Sequence, residues 1–355
     1  MNIAFLYMSK NYRIFNELPK DENINTVIRS LPKSSIMNSN YFSILKRLSE
    51  LGHNIDFFML LDSSYLNKYS KENIILIKEF GINTYLCSDA KSIQPYIANQ
   101  QLIIIRGNYS EWNLTISAYI NNIILLPCWS KINYNNIRIA VPNTKRFTVF
   151  VDDQELQESF EMANIKTQVF KKPAPEFFYN QPLNNEKVYD MIHICRKSDR
   201  PHKRIDILLK SLNMLNKTLV RPIQLLLIGD YSSHQNIFPI LDKIKITEIK
   251  HLSRNDILAS FDKSKISLCY SDWDANPRTI GESLARNTPV LCISDLKGGK
   301  FQIKPGLTGE FFQPDLSDFC LKANHMISNY NQYKARDNFT TIDDACNQII
   351  GVIES

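Results

Sequence analysis

Short apolar runs alternate with longer amphipathic segments along most of the chain, and this alternation limits the possible folds more than any other feature. The apolar runs are near-continuous stretches of Ile, Leu and Val, as in residues 102–106 and 223–228. Such runs are typical of parallel strands that are covered by helices on both faces. The alternation therefore predicts an α/β fold built on doubly wound parallel sheets.

The spacing of these runs predicts the individual elements. In the first half we expect strands at residues 2–8, 54–60, 83–87, 102–106, 123–127, 148–151 and 167–170, and helices at 41–51, 71–80, 90–98 and 154–163. In the second half we expect strands at 187–195, 223–228, 246–251, 265–270 and 290–293. Helices are expected there at 204–216, 254–262, 277–286, 316–328 and 342–353.

The length of 355 residues exceeds what a typical single core holds, so two domains are expected. The α/β pattern breaks at residues 172–185, where Pro and Asn are frequent. We predict a Rossmann-like domain at 1–171, a linker at 172–185, a second Rossmann-like domain at 186–335, and a C-terminal helix within 336–355 that packs back toward the first domain. The two domains would face a central cleft, with ligands at the carboxyl ends of the strands.

Charge and cysteine content indicate the kind of partner and the compartment. The net charge of +6 is mild and not clustered, which argues against nucleic acid but permits an anionic ligand or membrane surface. The seven cysteines lie far apart and are expected to be reduced, mostly buried thiols. We find no secretory signal pattern and no apolar run long enough to span a bilayer, so we expect a cytoplasmic protein, with peripheral contact at the inner membrane face left open.

The segment DANPRTIGE, residues 274–282, carries the strongest functional signal. Asn276 is a favoured helix N-cap and Pro277 a favoured first helical residue, so a helix is expected to begin there. The backbone amides of Arg278 and Thr279 would then point out of the helix N-terminus, where a phosphate can bind.

Two carboxylates flank this helix start. Asp274 before the helix and Glu282 inside it would accept hydrogen bonds from hydroxyls at the two ends of an elongated ligand, with phosphates between them. That arrangement suits a nucleotide sugar. Asp272-x-Asp274 also matches a metal-binding Asp-x-Asp motif, but no partner His lies nearby in the sequence and the motif comes late in the chain.

A second basic segment follows the first strand of the second domain. Arg196 ends that strand and Lys203 precedes the next helix, so both are placed to neutralise a diphosphate leaving group. The other basic side chains of the segment are interpreted as solvated loop charges; they are Lys197, Arg200, His202 and Arg204.

The second domain resembles the retaining GT-B glycosyltransferases of the group 1 family. Cys195-Arg196 followed by Lys203 resembles the family's Gly-Arg and Lys, and LLLIGD at 225–230 its Val-Gly-Asp strand end. Residues 274–282 match the Glu-x7-Glu motif with Asp in first place, and 284–290 match Ala-x-Gly-x-Pro-Val with Asn287 where Gly is common. The motifs at 297–299 and 306–309 look like the family's late glycine loops.

The resemblance implies a role for each candidate residue. Arg196 and Lys203 would bind the donor diphosphate and Asp274 the transferred sugar, and these three are the catalytic candidates. The donor-binding candidates are Gly229, Asn276, Pro277, Arg278, Thr279 and Glu282, with Glu282 on the ribose. The resemblance also implies that this chain needs no metal and no cofactor. Its donor substrate would be a UDP- or GDP-sugar, and its acceptor a glycan or lipid-linked molecule in surface polysaccharide or lipopolysaccharide synthesis.

The first domain resembles the family less, so no catalytic residue is carried over to it. Arg106, Asn108 and Glu111 are acceptor-side candidates because they follow the strand at 102–106. Two other hypotheses therefore stay open beside the transferase. One is a nucleotide-sugar epimerase of the same fold, and the other a non-catalytic subunit that binds nucleotide sugar for a partner.

Overall fold

The computed structural model describes residues 1–8, 40–60, 74–79, 81–87, 92–106, 122–126, 147–151, 154–162, 165–184, 186–195, 200–237, 239–272, 274 and 277–354. The chain divides into two compact units. Unit 1 comprises Met1–Phe170 and Ile342–Ser355, and unit 2 comprises Lys171–Thr341. Within the described ranges, no helix is both long and apolar enough to cross a membrane.

Unit 1 is built on one eight-stranded sheet. Its strands are β1 Asn2–Met8, β2 Asn54–Leu60, β3 Ile74–Glu79, β4 Ile82–Cys87, β5 Leu102–Arg106, β6 Ile123–Leu126, β7 Phe147–Val151 and β8 Thr167–Val169. Helices α1 Asn40–Glu50, α2 Gln94–Ile97 and α3 Gln154–Glu161 connect them. The strand order is β3-β4-β2-β1-β5-β6-β7-β8, and every pairing except β3–β4 is parallel.

The antiparallel pair corrects one prediction from the sequence. Residues 71–80 were expected to form a helix, but Ile74–Glu79 form the edge strand β3. Three β-branched residues in this short segment favour the extended conformation. Gly81, at a φ of 71°, lies between the paired residues Glu79 and Ile82, so β3 adds to the sheet as a hairpin partner of β4.

Unit 2 is built on a six-stranded, fully parallel sheet. Its strands are β9 Tyr189–Cys195, β10 Ile223–Gly229, β11 Ile244–Ile249, β12 Ser264–Cys269, β13 Val290–Ile293 and β14 Gly309–Phe312. Its helices are α4 Glu176–Tyr179, α5 Ile205–Thr218, α6 Arg254–Asp262, α7 Arg278–Ala285 and α8 Leu316–Asn329. The strand order is β11-β10-β9-β12-β13-β14. Both units therefore have the predicted Rossmann-like α/β fold.

The last helix, α9 Ile342–Glu354, belongs to the core of unit 1 although it follows unit 2 in the chain. Its residues Cys346 and Ile349 lie in one apolar cluster with Leu45 and Leu48 of α1. A surface ion pair of 2.6 Å between Arg47 Nε and Asp343 Oδ1 joins the same two helices.

Residues 172–185, predicted as a linker, are integrated into unit 2. They include helix α4, and Phe178 packs in an apolar cluster with Phe261 and Ala285. Arg286 is fully buried and its guanidinium donates to the backbone carbonyls of Phe178, Gln181 and Pro182. A buried guanidinium needs a partner for each donor, and this segment supplies three of them.

Six of the seven cysteines fall within the described residues, and all six are buried free thiols, as the sequence predicts. They are Cys87, Cys195, Cys269, Cys292, Cys320 and Cys346. Cys128 lies outside the described residues.

Gly309 opens β14 where its backbone touches β13. A Cβ added at Gly309 would lie 2.1 Å from the carbonyl oxygen of Val290. We expect Gly309→Ala to lower the free energy of unfolding by about 3 kcal/mol, because backbone atoms cannot yield as a flexible side chain can. Gly351→Ala in α9 is the matched control, since no atom lies within 4 Å of its added Cβ. Urea unfolding followed by circular dichroism would contradict this account if the two variants gave equal midpoints.

Candidate functional site

The candidate site of unit 2 lies where the strand order of its sheet reverses. The first strand, β9, has β10 on one side and β12 on the other. The connections that follow β9 and β12 therefore leave the sheet in opposite directions and open a crevice at its carboxyl edge. Lys203 comes from the connection after β9, and Asp274 from the loop after β12.

Lys203 and Asp274 form an ion pair across this crevice. Lys203 Nζ donates to Asp274 Oδ2 at 2.6 Å and to Ser271 Oγ at 3.2 Å. About a quarter of each side chain stays exposed, 23% for Lys203 and 26% for Asp274. The two residues stand 71 positions apart in the chain, and the fold brings them together. A cation and a carboxylate in this position can bind a phosphate and a hydroxyl side by side.

The residues next to this pair form a second one. Arg204 Nη1 donates to Asp272 Oδ2 at 2.8 Å, and both side chains are 29% exposed. The sequence interpretation of Arg204 as a solvated loop charge is therefore wrong, whereas Arg200 is exposed as expected. Lys197 lies outside the described residues.

The same contacts bear on the Asp-x-Asp alternative. Asp272 and Asp274 are each engaged by a basic side chain of the protein itself, Arg204 and Lys203. Among the residues whose positions are described, no group of three His, Cys, Asp or Glu side chains is arranged to hold a metal ion.

Helix α7 begins four residues after Asp274. Pro277 occupies its cap position and Arg278 is the first helical residue, one position later than the sequence predicted. Pro277 has no backbone N–H to donate, but its carbonyl accepts a hydrogen bond from Ile280 N at 3.0 Å. The amides of Arg278 and Thr279 precede that bond, so no carbonyl within the helix is available to them. They give α7 an N-terminal end that can bind an anion, four residues after Asp274 in the chain.

Glu282 lies on α7 and is half-buried. Burial raises the pKa of its carboxyl above the ordinary value, while the charges of Arg278 and Arg254 act in the opposite direction. A half-buried carboxyl under the influence of two arginine charges is suited to accept hydrogen bonds from a polar ligand.

Gly229 ends β10 with a φ of 136°, a conformation that an L side chain rarely adopts. The chain turns there into Asp230, whose Oδ1 accepts from Ser232 N at 3.1 Å. Hydrogen bonds with the side chain and the backbone amide of Ser232 lower the pKa of Asp230. Gly229 thus lets the backbone change direction at the carboxyl edge of the sheet, next to the end of β9.

His193 is a packed side chain and not a free base. It lies inside β9, is 4% exposed, and its Nδ1 lies 2.8 Å from the hydroxyl of Tyr231. Burial lowers the pKa of His193 to about 3, so the imidazole is neutral at any working pH. The pair ties the turn after β10 to the middle of β9.

Four of the residues singled out from the sequence lie outside the described residues: Arg196, Asn108, Glu111 and Asn276. The acceptor-side candidate Arg106 is described. It ends β5, opposite Tyr7 of β1, and its guanidinium carbon lies 3.9 Å from the centroid of the Tyr41 ring. Strand β1 has β2 on its other side, so Arg106 occupies the point where the strand order of unit 1 reverses.

Taken together, the described residues of unit 2 place a cation and a carboxylate at one crevice, and the helix that follows Asp274 in the chain carries Glu282. Two Rossmann-like units, one of them with this polar crevice at its switch point, define the GT-B class of proteins. Residues 180–341 match the model of the family described as glycosyl transferases group 1. This match confirms that unit 2 resembles the group 1 glycosyltransferases.

Solved structures extend the likeness in fold to the whole chain. Alr3699/HepE from Anabaena in complex with UDP is 15% identical over 100% of both chains, with a TM-score of 0.65. The lipopolysaccharide outer core galactosyltransferase WaaB in its apo form is 15% identical over 100% of this chain and 95% of that chain, with a TM-score of 0.59. WaaG, a glycosyltransferase involved in lipopolysaccharide biosynthesis, is 10% identical over 98% and 100%, with a TM-score of 0.61. No curated protein matches the sequence significantly.

Proposed function

We propose that the protein is a retaining glycosyltransferase that transfers a sugar from a nucleoside diphosphate sugar, a UDP- or GDP-sugar, to a glycan or a lipid-linked acceptor. The observation that carries the proposal is the Lys203–Asp274 ion pair of 2.6 Å, with Asp274 in the loop that leads into α7. A site with one cation and a helix end for phosphate, and a carboxylate for hydroxyls, has the polarity of such a donor.

Each residue then has one task in donor binding. Lys203, together with Arg196, binds the diphosphate, and the amides of Arg278 and Thr279 donate to its oxygens. Asp274 accepts from hydroxyls of the transferred sugar, while Glu282 accepts from the ribose. Gly229, without a side chain, leaves room for the nucleotide at the end of β10.

The free protein and the donor complex use Lys203 differently. Without donor, the Lys203 ammonium is neutralised by Asp274. With donor, the ammonium is shared between Asp274 and a diphosphate oxygen. Asp274, which binds the sugar, and Lys203, which binds the phosphate, therefore stay in contact. As the bond between the anomeric carbon and the phosphate oxygen breaks, negative charge develops next to Lys203 and the α7 amides, which are already in place.

The transfer itself needs only the two substrates. The acceptor hydroxyl attacks the anomeric carbon on the face from which the diphosphate departs, and the departing phosphate oxygen takes the hydroxyl proton. One carbon–oxygen bond breaks and one forms on the same face, which retains the configuration. The positive charges of the site take the place that a divalent metal has in other transferases, so we propose a metal-independent enzyme.

The acceptor is proposed to be a surface glycan or a lipid-linked glycan intermediate. The structural neighbours include two proteins whose names tie them to lipopolysaccharide, WaaB and WaaG. Arg106, stacked on Tyr41 at the switch point of unit 1, is suited to bind a polar or anionic acceptor group. A lipid-linked acceptor would bring this enzyme of the cytoplasm to the inner membrane face, and a sequence pI of 8.8 favours contact with anionic lipids.

A thermal-shift screen against UDP, GDP, ADP and CMP tests the proposal. Binding to the folded state alone raises the unfolding midpoint, so one nucleoside diphosphate should raise it by several degrees while CMP does not. Nucleoside diphosphate release from the matching sugar donor then separates a transferase from a binding subunit. Epimerised donor without acceptor indicates an epimerase, and a product with inverted anomeric configuration would contradict the retaining mechanism.

A further inference from the structure

The corner between β9 and α5 holds a residue in an unfavourable backbone conformation. Arg204 has φ 49° and ψ 42°, in the left-handed region, and α5 begins at the next residue. Among the described residues other than glycine, only Asn287 shares a positive φ. Asn tolerates this region far better than Arg does, so Arg204 needs a compensating contact.

That contact is the ion pair with Asp272. Arg204 Nη1 lies 2.8 Å from Asp272 Oδ2, whereas Arg204 Nε is 4.0 Å from Asp206, which is 54% exposed. The Arg204–Asp272 pair is the shorter and the better shielded from solvent, so it is the pair that can stabilise the left-handed conformation of Arg204. Asp206 offers a nearby carboxylate that makes no such contact.

Asp272 is also a hydrogen-bond hub through its backbone. Its amide donates to the carbonyl of His202 at 3.2 Å, and its carbonyl accepts from the amide of Lys297 at 3.0 Å. His202 follows β9, Asp272 follows β12 and Lys297 follows β13. One residue therefore joins the three loops at the carboxyl edge of three neighbouring strands.

The two ion pairs run side by side along the same two segments. Lys203 pairs with Asp274 and its neighbour Arg204 pairs with Asp272. The two segments that carry Lys203 and Asp274 are therefore the same two segments that the Arg204–Asp272 pair connects.

We propose that Arg204 and Asp272 form a clasp that positions Lys203 and Asp274 for the donor without touching it. The proposal rests on the proposed function of the Lys203–Asp274 pair. Arg204 and Asp272 are thus positioning residues. They fix the distance between Lys203, which binds the phosphate, and Asp274, which binds the sugar. A donor complex loses affinity when its contacts are held in place less firmly.

The variant Arg204→Gly distinguishes an effect of the clasp on nucleotide binding from an effect on the stability of the fold. Glycine adopts the left-handed conformation without strain, so the unfolding midpoint should stay within about 2 °C of the wild type although the ion pair is lost. Without the clasp, we expect the Kd for UDP, or for the nucleotide that the screen identifies, to rise about tenfold. Asp206→Asn removes the neighbouring carboxylate and should leave the Kd unchanged.

A charge exchange gives the rescue. Arg204→Asp is tolerated in the left-handed region, and combined with Asp272→Arg it restores an ion pair with its charges reversed. The double variant should bind the nucleotide more tightly than either single variant, which a purely structural role for one residue does not produce.

The experiment is calorimetric titration with the nucleotide and amide hydrogen exchange without it, on the full chain. The clasp predicts weaker binding by Arg204→Gly and faster exchange at the amides of Asp272 and Lys297. Wild-type affinity or wild-type exchange in Arg204→Gly would overturn it. A wrong proposed function would give a different result. In that case both Lys203→Ala and Arg204→Gly bind each nucleotide as the wild type does.

Discussion

Lys203→Ala is expected to reduce nucleoside diphosphate release from the donor by about 10²- to 10³-fold. The variant removes the ammonium group that contacts Asp274 and that, in the proposed function, would meet the diphosphate as it departs. Its loss affects the transition state more than the ground state, because the negative charge on the leaving group increases as the bond breaks. Initial rates at saturating donor, with the Kd measured separately, check the prediction.

Lys210→Ala is the matched control for this variant. Lys210 is an exposed lysine on α5, so its removal changes the net charge equally without touching the crevice. The control should retain the wild-type rate. Because the Lys203–Asp274 pair is partly solvated, Lys203→Ala should also keep an unfolding midpoint within a few degrees of the wild type. Equal rates in the two variants would show that Lys203 has no part in the reaction.

Arg286→Met is expected to lower the free energy of unfolding of unit 2 by about 3–5 kcal/mol, which is on the order of 10 °C in the unfolding midpoint. Arg286 is fully buried and forms a bidentate pair with Asp262, with distances of 2.8 Å from Nε and 2.7 Å from Nη2. The variant leaves Asp262 buried without its cation and removes the donors for three backbone carbonyls.

Two further variants define the cause of this loss. Arg286→Lys keeps the charge but lacks the planar fork, so it should recover only part of the stability. Arg221→Ala removes a 59% exposed arginine that lies 3.6 Å from Asp190, and Asp190 keeps its 2.6 Å pair with Lys265, so the variant should cost at most about 1 kcal/mol. If Arg286→Met unfolds within 2 °C of the wild type, the buried pair does not hold residues 178–182 on unit 2.

The sequence was sufficient for most of the fold because the apolar runs of a parallel sheet are strong local signals. The strands at 2–8, 54–60, 102–106 and 290–293 agree with the structure to the residue. The error at 71–80 has a local cause too. This edge strand is short and flanked by charged residues. Its formation depends on pairing with β4, and the periodicity of its own residues carries no information about that pairing.

The residues of the site likewise fall into those that a sequence motif identifies and those that only the fold reveals. Residues identified by a motif, such as Lys203 and Asp274, could be named in advance, and the structure brings this pair into contact. The Arg204–Asp272 and Arg286–Asp262 pairs could not, because their partners stand 68 and 24 positions apart and no spacing rule connects them. A basic residue in a loop is solvated in most proteins, and only the fold tells the exceptions apart.

Asn287 shows a case between these two. The sequence has Asn where the related family has Gly, and the structure gives a φ of 53° at this position, just after α7. Asn is the residue that best replaces Gly in a left-handed helix end. The departure in sequence therefore preserves the conformation, and the turn into β13 is maintained.

The most direct test of the account is a crystal structure with the nucleoside diphosphate that raises the unfolding midpoint most. The account predicts diphosphate oxygens within about 3 Å of Lys203 Nζ and of a backbone amide in the first turn of α7. A diphosphate bound away from the carboxyl edge of the unit 2 sheet, or a crevice without nucleotide at saturating concentration, would contradict it.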